Sequence, residues 1–173
     1  MQGVRARVAA IDRGVLRAEG AVVAILVAVM TAIIFAQVVF RYVLSSPLVW
    51  SEELARYLFV WITMVGAGAA VHLGQHYGLD ILAKLLPSPL QKLAGFLASV
   101  LIGASAVTLI WQGLKEAAGA MNHAASSVEV PMVWFYAAIP IGGALMLWHV
   151  LARMVTLGFG ASALSAHGAA HAD

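Results

Sequence analysis

The sequence predicts an all-α membrane protein. Its four transmembrane helices leave both ends in the cytoplasm, and an amphipathic helix lies on the membrane surface ahead of the first. Three observations carry this. The 173 residues are 62% hydrophobic and only 10% charged, whereas a soluble domain carries about 25% charge. Four uncharged apolar runs, 21–40, 57–73, 93–114 and 131–152, supply 17 to 22 residues each, close to the roughly 20 needed to cross about 30 Å of hydrocarbon. The basic residues are distributed unevenly around those runs.

The N-terminal tail, residues 1–19, places Val4, Val8, Ile11 and Val15 at helical spacing, with Arg5, Arg13 and Arg17 off that stripe. This pattern suits a helix lying on the inner leaflet. Four of the ten basic residues (Arg5, Arg7, Arg13, Arg17) fall in this segment, next to an apolar run. A cytoplasmic membrane surface explains such a short cluster better than nucleic acid does.

The membrane domain is expected over residues 20–156, with spans near 21–40, 52–73, 92–114 and 131–153. The first span exceeds the 7–15 apolar residues of a secretory signal and lacks a small-x-small cleavage site, so it is read as a retained helix. Ser46-Pro47 and Ser88-Pro89 each read as an N-cap followed by proline at the first helical position, and Gln91 completes a capping box at the second. Leu79, Leu82 and Leu86 suggest a short interfacial helix ending before Pro87. Residues 157–173, rich in Gly, Ala, Ser and His, are expected to be a disordered cytoplasmic tail.

Orientation follows from Lys and Arg near the span ends. The N-tail, the second loop (Lys84, Lys92) and the C-tail (Arg153) hold seven, against three (Arg41, Arg56, Lys115) on the other side, which puts both termini inside. Tyr42, Trp50, Tyr57, Trp111, Trp134 and Tyr136 then gather at the outer boundary, where amphipathic rings settle.

The chemistry is mostly exclusion. With no cysteine, thiol nucleophiles, disulfides and iron–sulfur clusters are ruled out. No apolar run contains Asp, Glu, Lys or Arg, and such a residue at mid-membrane is kept only for a purpose such as ion coupling. Nor is there a repeat-related pair of interrupted helices. An enzyme or a self-sufficient pump is not indicated. Mid-span Thr31, Gln37, Thr63, Ser99, Ser105 and Thr108 read as hydrogen-bonding between helices.

Small residues recur every four positions: Gly20, Ala24, Ala28, Ala32 and Ala36; Gly66, Ala70 and Gly74; Gly95, Ser99 and Gly103. Such stripes let helices approach closely, within the chain or against a partner. Pro140 should kink the fourth span, with Gly142 making a close contact beside it. His72, His76 and His149 fall at similar depth. They are read as interfacial residues capping helix ends. Ligation of haem or a metal is the alternative, so no metal site is assigned. Trp50, Glu52, Glu53 and Arg56 open the second span; Glu52 and Arg56 are spaced to pair one turn apart, and the cluster is a candidate docking surface for a partner.

Taken in order, these residues resemble the small membrane subunit of tripartite ATP-independent periplasmic (TRAP) transporters, the DctQ type. The resemblance rests on Trp50-Ser51-Glu52-Glu53-Leu54-Ala55-Arg56, Gly66-Ala67-Gly68-Ala69-Ala70, His76 with Asp80, Leu86-Pro87, and Val130-Pro131-Met132 through Ile139-Pro140-Ile141-Gly142. It covers roughly residues 41–153. Tyr77, where the family often has a β-branched residue, and the His-rich tail depart from the pattern.

The resemblance implies a non-catalytic inner-membrane subunit that serves as scaffold for a large multi-span subunit binding sodium and substrate. A periplasmic substrate-binding protein would deliver an organic acid. It implies no cofactor in this chain, membrane lipids as surroundings and no nucleic-acid partner. His76 and Asp80 join Trp50, Glu52, Glu53 and Arg56 as interface candidates. A haem- or quinone-anchoring subunit of a respiratory enzyme is the competing reading, resting on the three histidines.

Overall fold

The computed structural model describes residues 2–73, 87–128 and 130–157. These residues are helical almost throughout: α1 (Gln2–Tyr42), α2 (Val49–Leu73), α3 (Ser88–Gly119), α4 (Val133–Tyr136) and α5 (Ala138–Leu157). Among the described residues, four stretches are long and apolar enough to cross a membrane: α1, α2, Leu93–Gly119 within α3, and Val133–Thr156 across α4 and α5. Large apolar side chains stay on the outside, among them Phe35, Phe59, Leu101 and Trp111, as lipid contact permits.

The N-terminal tail is helical, but it is not a separate element. It is the first part of α1, which runs 41 residues without a break, about 60 Å at 1.5 Å per residue. Of its apolar stripe, Val8 and Val15 are half-buried. Val4 and Ile11 are exposed, while Asp12 and Glu19 are the residues that α1 buries.

α5 is the centre of the bundle. α2 and α3 pack on different sides of it, α1 packs mainly on α2 and more lightly on α5, and α1 and α3 make no comparable contact. Glycines set the closest approaches. A Cβ at Gly142 would lie 2.7 Å from Met64 Cβ and 2.8 Å from its carbonyl oxygen; one at Gly113 would lie 2.6 Å from Pro140 Cδ; one at Gly68 would lie 2.9 Å from Leu145 Cβ. These distances bring α2 and α3 onto α5 backbone to backbone.

Several local expectations change. Gly20 and Gly66 of the small-residue stripes face open space, so close packing in α2 falls on Gly68, two residues out of register. Gly103 makes only an ordinary contact with Val150. Ser99 and Ala70 are half-buried; Gly95 is half-buried and accepts the Ser99 hydroxyl at its carbonyl (2.8 Å). Gly74 lies outside the described residues, as do the short helix expected before Pro87 and the C-terminal tail.

Ser46-Pro47 does not open α2, which begins at Val49 after a turn containing Ser45 at φ 52°. At the second proline pair the N-cap is Pro87, with no side-chain cap bond, and Ser88 is already helical. The hydroxyls of Thr31, Thr63, Ser99, Ser105 and Thr108 all bond carbonyls three or four residues back in their own helices. They need no neighbour, because a short hydroxyl in an apolar helix finds its acceptor locally. Only Gln37 reaches across, to Glu52 (2.8 Å).

The fourth crossing is interrupted at Ala137, between α4 and α5. The break lies one turn before Pro140, whose ring would collide with the Tyr136 carbonyl and which has no N–H to give it.

Candidate functional site

Two polar constructions tie the helices together, one at each end of α2. At its start, α1 and α2 form an antiparallel hairpin, so the end of one faces the beginning of the other. Glu52 accepts hydrogen bonds from Arg41 and Gln37 of α1. It does not pair with Arg56, which is exposed and makes no ion pair among the described residues. Two donors already held in place by the hairpin win over a single exposed pair one turn away, itself worth only tenths of a kcal/mol.

Glu53 points the other way and is buried. Its Oε1 accepts the Tyr57 hydroxyl (2.8 Å) and the Ser126 N–H (3.2 Å), and its Oε2 accepts the Ser127 N–H (2.7 Å). The segment it holds is a small folded-back loop in which Ala125 N–H bonds the Val130 carbonyl (2.9 Å) and Met132 N–H bonds that of His123 (2.8 Å). Tyr57 then stacks on Phe135 of α4, with ring centroids 3.6 Å apart, and Trp61 donates its indole N–H to the Trp134 carbonyl (3.2 Å). Glu53 therefore spends its acceptors inside this chain. Trp50, Glu52 and Arg56 remain on the surface; His76 and Asp80 lie outside the described residues.

At the other end of α2, four ionisable side chains from three helices meet. Asp12 and Glu19 come from α1, His72 from the last turn of α2, and His149 from α5. Asp12 Oδ1 stands 2.7 Å from His149 Nδ1, and Asp12 Oδ2 stands 2.7 Å from His72 Nδ1. Glu19 lies 3.1–3.2 Å from His149 Nε2 through both its oxygens. The side chain of His149 is 0% exposed, that of Glu19 3%, Asp12 13% and His72 21%. Gly68 makes room for Glu19: a Cβ there would sit 2.7 Å from Glu19 Oε1.

His72 and His149 are thus not interfacial caps, because their ring nitrogens meet carboxylates rather than carbonyls at helix ends. The sequence reading brought these two histidines to one depth and missed both acids. Asp12 and Glu19 are spaced seven apart, two turns of one helix face, a signal hidden by the apolar stripe beside it. The haem reading loses its footing here. The two imidazoles meet edge to face at 5.1 Å and share one carboxylate, leaving no slot between them for a macrocycle.

Comparison with known proteins places this architecture. The family described as "Tripartite ATP-independent periplasmic transporters, DctQ component" matches residues 30–159. The C4-dicarboxylate TRAP transporter small permease protein DctQ of Rhodobacter capsulatus is 31% identical over 91% of this chain and 83% of its own. The sialic acid TRAP transporter small permease protein SiaQ of Vibrio cholerae is 26% identical over 76% of each. The sialic acid TRAP transporter permease protein SiaT of Haemophilus influenzae is 31% identical over 69% of this chain, which spans only 19% of that longer protein. These relatives are permease proteins and not enzymes. With four helices able to cross a bilayer and a family match covering most of the chain, the protein belongs to the DctQ component family of TRAP transporters, small permease subunits of the inner membrane.

Proposed function

We propose that the chain is the small, non-catalytic membrane subunit of a TRAP-type secondary transporter. It serves as a scaffold for a large multi-span subunit that carries the sodium and substrate sites, and a periplasmic binding protein delivers the solute. The family match over residues 30–159 carries this reading. Relatives named for C4-dicarboxylates and sialic acid support an organic acid as the solute. The wide apolar exterior supports a subunit that lives among lipid and other membrane helices. The seven Lys and Arg residues of the tails and second loop, against three on the other side, support both termini in the cytoplasm.

The proposed contact surface keeps Trp50, Glu52 and Arg56, with His76 and Asp80, and drops Glu53, which is occupied within the chain. The test is co-expression with a large TRAP membrane subunit and a periplasmic binding protein from the same source. Sodium-driven uptake of an organic-acid panel should require all three, and liposomes holding this chain alone should show none. Arg56→Ala should express normally yet lower co-purification of the large subunit, because an interfacial charge lost from a partly desolvated pair costs about 2–5 kcal/mol. Uptake without this chain, or by it alone, overturns the scaffold role; undiminished co-purification with Arg56→Ala removes Arg56 from the contact.

A further inference from the structure

We propose that Asp12, His72 and His149 form a binding site for a divalent transition-metal ion of the zinc class, with Glu19 orienting His149. The ion would fasten α1 to α2 and α5.

The donors and acceptors of the cluster do not match without an added cation. Both ring nitrogens of His149 face carboxylates: Nδ1 faces Asp12 at 2.7 Å and Nε2 faces Glu19 at 3.1–3.2 Å. A neutral imidazole has one N–H and one lone pair. With the proton on Nε2 and given to Glu19, the Nδ1 lone pair is aimed at Asp12, which has only lone pairs to offer. Something positive must lie between them. His72 Nδ1 is aimed at the other oxygen of the same carboxylate, so two nitrogens and one carboxylate converge on one small volume. Ligand atoms of the three residues lie within 4.8 Å of one another.

Charge points the same way. Among the described residues, the imidazoles are the only groups that pair with these two buried acids. A divalent ion held by neutral imidazoles would offset the charge of two carboxylates.

The donor set is that of zinc, which takes imidazole nitrogen at about 2.0–2.1 Å and carboxylate oxygen at about 2.0–2.2 Å. Three protein ligands typically leave a fourth position for water. Tetrahedral ligands at those lengths stand about 3.3 Å apart, so seating an ion widens each Nδ1–oxygen separation by about 0.6 Å. Asp12 and His72 are the partly exposed pair, so movement and ion entry are easiest on their side of the site. The bond from His149 Nε2 to Glu19 is the second independent sign, because a metal-ligating histidine characteristically gives its other N–H to a carboxylate that fixes its tautomer.

The experiment uses the purified full-length chain without a polyhistidine tag, stripped with chelator and titrated with cobalt(II), then with zinc in competition. Wild-type protein should bind one equivalent, show the intense ligand-field absorption of a four-coordinate cobalt site, and gain thermal stability with zinc. Asp12→Asn and His72→Gln should each abolish that site. Glu19→Gln should keep the spectrum but bind about 10–100-fold more weakly. A variant with His167→Ala and His171→Ala should bind like wild type. Circular dichroism shows whether each variant is folded; His72, at the partly exposed end of α2, can change without opening the core. No saturable ion in the wild type, binding that survives either Asp12→Asn or His72→Gln, or unchanged affinity with Glu19→Gln overturns the proposal. The first of these outcomes would mean that protons, not a metal, bridge the Nδ1 atoms.

Discussion

Glu53 and Glu19 are both buried acids at opposite ends of the bundle, and each ties a helix to distant chain. Their donors differ. Glu53 is held by two backbone N–H groups and a phenol, none of which titrates near neutral pH. Glu19, with Asp12, is held by imidazoles, whose ring nitrogens can each carry a proton or offer a lone pair. The Glu53 end is a fixed joint that orders a loop. The Glu19 end is a joint whose strength depends on what is bound between acid and imidazole.

The largest expected effect breaks the second joint. His149→Leu removes the only residue among those described that pairs with both acids, leaving Glu19 without that partner and Asp12 with His72. Stranding a buried charge costs about 3–5 kcal/mol, so the purified variant should show a marked drop in Tm, and proteolysis should begin within the first half of α1. A small change in Tm would mean the acids reach water easily. Next comes Gly68→Val. It keeps all four polar side chains but drives a branched side chain against Glu19 and Leu145, an overpacking worth about 1–3 kcal/mol. Gly66→Val on the open face should stay within about 0.5 kcal/mol. Equal effects at the two glycines would show that α2 packs in another register.

At the Glu53 end the readout is local. Glu53→Ala should release the amides of Ser126 and Ser127 to fast hydrogen exchange, while α1 keeps its protection. Glu53→Gln should preserve most of the protection, because an amide oxygen still accepts. Loss of protection in α1 would show that the two ends are coupled. The smallest effect is Arg41→Ala. It breaks a pair whose side chains are 46% and 58% exposed, worth about 0–1 kcal/mol, and should leave unfolding almost unchanged. A larger loss would mean that Arg41 and Glu52 are covered by something in the intact assembly.

The sequence by itself determined that this is a four-helix membrane protein. A bilayer demands long uncharged runs, and that demand is one-dimensional: it can be counted along the chain without knowing what touches what. The break before Pro140 was legible for the same local reason, since a proline acts on the carbonyl four residues back. The order of anchors from Trp50 to Gly142 likewise carried the family. Tertiary structure alone decided the rest. It chose Gly68 over Gly66, because helical spacing identifies a stripe without saying which face meets a neighbour. It gave Glu52 to Arg41 rather than Arg56, and Glu53 to the loop at Ser126 and Ser127, because those partners are distant in sequence and are brought near only by the hairpin and the fold. It brought Asp12 and Glu19 to His72 and His149 across separations of 60 to 137 positions. A buried acid is tolerated only where its partner arrives in space, and no count along the chain can show that arrival.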